Sequence, residues 1–138
     1  MAAELFVDTL YLVALIDRLD PWAGTVRNAR RRIRGMRLVT SEFVLAEFLG
    51  FVCEAGPFLR QEAIALTGRL RGDPTVTVRP ATSTLFEDGL RLYEARPDKG
   101  YSLVDCTSMV IMRERGIAGV LSADRHFEQE GFRALLRA

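Results

Sequence analysis

The order of apolar and polar positions divides the chain into strands and helices that alternate. Residues 4 to 8, ELFVD, read as a short apolar strand, and helical spacing from 9 to about 19 follows it with no linker. Asp20 and Pro21 restart the chain as an N-cap and a first-turn proline, predicting a second helix that ends near Gly35. Residues 37 to 40 form a second strand. Ser41 then caps a strongly apolar helix closing at Gly56, and Pro57 opens another that runs to Gly72, so the two read as a helical hairpin. The β-branched TVTVR, 75 to 79, is a third strand, and 82 to 95 has helical periodicity through Leu85, Phe86, Leu90, Leu92 and Tyr93. After a loop at 97 to 100, Ser102 caps a helix ending at Gly116. GVLSA, 119 to 123, is a fourth strand, and a short helix from 124 to 130 leads to a last strand around 132 to 136. This alternation predicts an α/β fold with a parallel sheet covered on both faces, whose ligands bind beyond the carboxyl ends of the strands.

Length and composition narrow the class without naming a chemistry. The 138 residues, 49% hydrophobic and 27% charged, fit one globular domain over 1 to 138 with a sizeable core. The longest stretches free of charge are eight residues, at 9 to 16 and 116 to 123, against the ~20 a membrane helix needs. The start, Met-Ala-Ala-Glu, has no basic segment followed by an apolar one, so a cytoplasmic protein with no membrane partner is expected. Cys53 and Cys106 stand apart in apolar surroundings and read as small buried hydrophobes rather than a zinc ribbon or a disulfide pair.

Charge placement is more informative. Three apolar runs, LFVDTLYLVALI, FVLAEFLGFVC and YSLVDCTSMVIM, together hold three charges where the chain average predicts about nine, and each is acidic: Asp8, Glu47 and Asp105. A buried carboxylate costs several kcal/mol unless it is paired or bound to a metal, and these runs contain no basic residue. Asp124 follows the fourth strand as Asp8 ends the first, so both project from carboxyl ends. Plain capping competes for three of the four. Asp8 and Asp124 precede helices, and Asp105 lies three residues after Ser102, the spacing of a capping box. No such rule accounts for Glu47, in mid-helix among Phe43, Val44, Leu45, Phe48, Leu49 and Phe51. Oxygen ligands without histidine or thiol partners select Mg²⁺ or Mn²⁺ rather than zinc. His126 is the only histidine, which excludes a two-histidine ribonuclease, and it reads as a surface residue or one that supports the site from outside. G-x-x-x-x-G-K-[ST] and G-x-G-x-x-G are both missing.

The net charge of +1 hides a local excess. Residues 27 to 37 hold six arginines and no acid, which leaves 13 basic against 18 acidic residues elsewhere. Eighteen of the 19 basic residues are arginine, the side chain suited to bidentate phosphate contact. Arg30, Arg31 and Arg34, and separately Arg125, are the candidate RNA contacts, with a solvated helix face as the alternative for the run. Trp22 and Tyr101 are aromatic residues that either stack bases or belong to the core.

The FVDT start, the SEFVLAEFL helix, the DKGYSLVDC segment and the LSADRHFEQEGF tail together resemble the PIN-domain ribonucleases, specifically the VapC toxins of toxin–antitoxin pairs. That resemblance runs from residue 6 to 132. It implies a PIN-like α/β/α sandwich with a central parallel sheet, and metal-assisted hydrolysis of an RNA phosphodiester that leaves 5′-phosphate and 3′-hydroxyl ends. It assigns Asp8, Glu47, Asp105 and Asp124 to catalysis and to holding Mg²⁺ or Mn²⁺, Thr9 and Ser102 to hydroxyl neighbours, and Asp98 to the third motif. Leu10 departs from the small or hydroxyl residue common in relatives. The implied partners are an RNA substrate, a small cognate antitoxin and a second copy in a homodimer. A PIN-like module that binds RNA or protein without cutting, and a receiver-like signalling domain, are the competing classes. The first has no reason to keep four acids, and the second expects paired acids near the first strand and a lysine after a late one.

Overall fold

The computed structural model describes residues 3–137; residues 1, 2 and 138 of the expected domain, including the first two of the Met-Ala-Ala-Glu start, lie outside the described residues. Among the described residues the elements run β1 (Glu4–Val7), α1 (Thr9–Ile16), α2 (Ala23–Arg32), β2 (Arg37–Ser41), α3 (Glu42–Phe51), α4 (Pro57–Gly72), β3 (Val76–Arg79), α5 (Ser83–Ala95), α6 (Leu103–Arg115), β4 (Gly119–Leu121), α7 (Arg125–Gln129) and β5 (Arg133–Ala134). All five strands are parallel, in the order β3-β2-β1-β4-β5. The expected α/β/α sandwich is therefore present.

β1 occupies the centre because its sequence suits burial on both faces. Phe6 and Val7 are fully enclosed, and they register against Val39 of β2 and against Val120 and Leu121 of β4, all equally enclosed. The chain grows from β1 toward β2 and β3 on one side, then returns to place β4 and β5 on the other. The reversal makes the carboxyl ends of β1 and β4 the switch point at which such sheets bind ligands. α1 packs on α2, α3 and α4, while α6 packs on α5 and α7; α3 touches both groups, meeting α1 and α6. Ser41 caps α3 by accepting from the Val44 amide at 3.1 Å, and α6 stops at Gly116, whose φ of +67° suits a residue without a Cβ.

Several expected boundaries move. α1 ends at Ile16 rather than near 19, because Asp17 turns the chain and its carboxylate accepts from the Leu19 amide at 3.0 Å. Asp20 does not cap α2; it accepts from the Trp22 amide at 2.8 Å in a turn of its own, and the helix begins at Ala23. β4 stops at Leu121, two residues short of the expected end, although the Ser122 carbonyl still accepts from the Leu136 amide at 3.2 Å while its hydroxyl turns to the site. Cys106 is buried as expected, whereas Cys53 is exposed at the end of the α3–α4 hairpin. No helix of the described residues is long and apolar enough to cross a membrane.

Candidate metal centre

In a parallel sheet every carboxyl end lies on one edge, and four acids reach that edge by separate routes. Asp8 ends β1 and stands where the N-cap of α1 would be, yet its side chain makes no capping bond. It receives the Ser122 hydroxyl at 2.8 Å instead. The capping alternative therefore does not hold for Asp8. Burial pushes this carboxyl up to about 7; the Ser122 hydrogen bond opposes the rise, and the nearby charges of Asp105 and Glu47 add to it.

Asp105 sits in the first turn of α6 and combines two roles. Its Oδ2 accepts from the Ser102 amide at 3.0 Å while the Ser102 hydroxyl accepts from the Asp105 amide at 3.0 Å, completing the capping box. Its pKa is raised as well, first by burial and also by Asp124, against the lowering influence of Ser102 and His126. Asp124, half-buried, caps α7 by accepting from the His126 amide at 2.9 Å. Capping here fixes the carboxylate's direction rather than competing with a place in the site.

Glu47 differs from expectation. Its apolar sequence neighbours predict an enclosed acid, but α3 presents it on an exposed position, beside rather than inside the core. The side chain turns inward to accept the Thr9 hydroxyl, which ties α3 to the first turn of α1 beside Asp8. Asp98 stays out of the cluster. It is exposed in the 97–100 loop and pairs with its neighbour Lys99 at 3.7 Å.

Ser122, Thr40 and the position of His126 escape a reading of the sequence. Ser122 bridges the two strand-end acids, donating to Asp8 and accepting from the Asp124 amide at 3.1 Å. Thr40, fully buried at the end of β2, donates to the Val7 carbonyl at 2.9 Å, next to Asp8. Their one signal is a hydroxyl at the carboxyl end of an apolar strand, which is weak alone. His126 Nδ1 lies 3.4 Å from Asp105 Oδ2 and 3.3 Å from Asp124 Oδ1.

Among the described residues no arginine or lysine pairs with any of the four acids. Two buried carboxyls held above their ordinary range, with further acids beside them, match what a hard divalent cation requires: oxygen donors whose repulsion the cation removes. The donor set thus fits Mg²⁺ or Mn²⁺.

The arginine run lies elsewhere. Arg27, Arg30, Arg31 and Arg34 line an open groove of about 460 Å³. None of the four acids lines it, and Arg30 also lines a second pocket with Val7, Tyr11, Leu15 and Met36. Arg125, exposed at the start of α7, is the candidate cation adjacent in sequence to Asp124. Arg113 and Arg115 are committed to ion pairs, with Glu130 at 2.5 Å and Glu4 at 2.7 Å. Tyr101 is a core aromatic whose hydroxyl donates to Glu130 at 3.2 Å, and Trp22 packs half-buried against the core.

Residues 5–132 match the model of the PIN domain. Over 131 residues the chain is 28% identical to the 23S rRNA-specific endonuclease VapC20 of Mycobacterium tuberculosis, in two strains, an alignment taking in 93% of this chain and 95% of that one. The crystal structure of M. tuberculosis VapC20, described as a sarcin–ricin loop cleaving toxin, superposes with a TM-score of 0.83 at 27% identity, covering 94% of this chain and 97% of that one.

Proposed function

The chain belongs to the PIN-domain family, and on that premise we propose that it is a metal-dependent endoribonuclease of the VapC toxin type, with Asp8, Glu47, Asp105 and Asp124 holding Mg²⁺ or Mn²⁺. One observation supports the reading: Asp8 lies near the charges of Asp105 and Glu47, and Asp105 near that of Asp124, with Asp8 and Asp105 buried and, among the described residues, no arginine or lysine paired with any of the four. When bound, the cation supplies Lewis acidity, making water a better nucleophile and neutralising charge that develops on the phosphate. The protein's part is to hold the donors still. Ser122 fixes Asp8, the Ser102 amide fixes Asp105, the α7 amide fixes Asp124, and Thr9 fixes Glu47. We assign the exposed Arg125, next in sequence to Asp124, and the groove of Arg30, Arg31 and Arg34 to RNA phosphate.

The substrate named for VapC20 makes 23S rRNA, and its sarcin–ricin loop, the first RNA to offer. Phe51 and Phe58, 68% and 69% exposed on the α3–α4 hairpin, are the surface we assign to a small antitoxin. Phe86, Leu90 and Tyr93, spaced i, i+4 and i+7 on α5, are the face we assign to a second copy. The test is cleavage of the isolated loop RNA by purified protein in Mg²⁺ or Mn²⁺. Activity should vanish in EDTA and in Glu47→Gln and Asp105→Asn proteins that keep the parent circular dichroism. Full cleavage by folded Glu47→Gln would overturn the assignment.

A further inference from the structure

His126 has no part in the four-acid set, but its ring is built into the site. Nδ1 lies 3.3 Å from Asp124 Oδ1 and 3.4 Å from Asp105 Oδ2. Both separations exceed the 2.7–3.2 Å of a good N–H···O bond. Both oxygens also already have backbone donors, from Ser102 to Asp105 and from His126 itself to Asp124. One donor atom from each of Asp105, Asp124 and His126 lies within 4.8 Å of the other two. Ligands on adjacent corners of an octahedron with bonds of about 2.1–2.2 Å are about 3.1 Å apart, so a small contraction brings all three onto one cation.

The ring is also held from behind. Tyr101 meets it edge-on, with centroids 5.4 Å apart and planes at 61°. A Cβ at Gly100 would lie 3.3 Å from Nε2, closer than ordinary contact. Gly100 does not have a positive φ, so the backbone conformation does not call for glycine there. The missing side chain makes room for the imidazole, and the loop and ring together keep Nδ1 turned toward the acids.

We propose that His126 is a metal ligand through Nδ1, together with Asp105 and Asp124, and that this nitrogen biases the site toward Mn²⁺ over Mg²⁺. This inference rests on the carboxylate site proposed above and adds a ligand to it. Mg²⁺ favours an all-oxygen shell, whereas Mn²⁺ accepts imidazole beside carboxylates. The nitrogen therefore contributes to one ion's affinity and little to the other's.

The experiment uses the full chain, freed of metal and loaded with Mn²⁺ alone, and reads electron spin-echo modulation from nitrogen bound to the ion. The parent should show ¹⁴N coupling that changes to a ¹⁵N pattern when the protein is made with ¹⁵N-histidine. His126→Gln should lose the coupling and bind Mn²⁺ at least about tenfold more weakly by calorimetry, with Mg²⁺ affinity changed less than about threefold. Mn²⁺ bound to the parent with no histidine nitrogen coupling overturns the role of His126 and leaves the four-acid reading intact. Failure of the parent to bind Mn²⁺ at all overturns both. Because the decisive spectrum is that of the parent, a poorly folded variant would not rescue the idea.

Discussion

Replacing Asp8 with asparagine should make the metal-free protein more stable while destroying its activity. The carboxyl is held at about 7 rather than the 3.8 of an unfolded aspartate, chiefly by burial. Between roughly pH 4 and 7 the folded protein keeps a proton that the unfolded chain has released, so raising the pH withdraws stability across that window. Above about 7 both states are ionised and the full penalty is present; below about 4 both are protonated and it is absent. At about 1.36 kcal/mol per pKa unit the gap corresponds to a ceiling of about 4 kcal/mol, and relaxation around the site brings the expected gain to about 2 kcal/mol at pH 8. Asparagine keeps an oxygen for the Ser122 hydroxyl, so that bond survives. No capping bond is removed, because Asp8 makes none.

Thermal denaturation in EDTA at pH 4.5, 6 and 8 measures this. For a chain of this size about 2 kcal/mol is roughly 6–8 °C, so the variant should melt that much higher at pH 8 and close to the parent at pH 4.5. The parent's decline with pH should shrink without vanishing, since Asp105 is raised too. Adding Mn²⁺ should reverse the order, because a ligand at about 100 times its Kd contributes roughly 2.7 kcal/mol to the protein that binds it. A loss of about 0.5–2 kcal/mol at pH 8 would identify Asp8 as an ordinary helix cap and refute the reasoning.

How much of this was legible in the sequence depended on whether the signal was local. Asp8 and Asp124 could be placed because a strand's end is visible in its apolar run, and a parallel sheet puts all such ends on one edge. Glu47 stands out in the sequence as a lone charge among apolar neighbours, but that pattern does not say which face of the helix it occupies, and it is exposed rather than enclosed. Ser122 was invisible because its partners, Asp8 and the Asp124 amide, come together only through β1–β4 pairing. Leu19 extended the expected α1 by its hydropathy, yet it is 91% exposed; apolar spacing cannot show that Asp17 has already turned the chain. The arginine run announced its sign but not that four of its members would line one groove apart from the acids.

Ser122→Ala removes the donor that favours ionised Asp8 and leaves the Asp124 amide short of a partner, so it should cost about 1–3 kcal/mol in melting experiments and move the acidic limb of the cleavage–pH profile upward. Gly89→Ala should destabilise by about 1–3 kcal/mol despite alanine's helix propensity, because the new Cβ would lie 2.6 Å from Thr107 Cγ2 where α5 packs on α6; a stabilised variant in urea titration would show that α6 shifts freely. None of the four acids lines the groove of Arg27, Arg30, Arg31 and Arg34, so replacing Arg30, Arg31 and Arg34 with glutamine should weaken RNA binding without changing Mn²⁺ affinity, and should flatten the slope of log affinity against log salt by about 0.7 for each phosphate that the variant no longer neutralises. An unchanged slope with unchanged cleavage would make the run a solvated helix face and leave Arg125 as the arginine positioned to hold substrate, since Arg113 and Arg115 are already paired with Glu130 and Glu4.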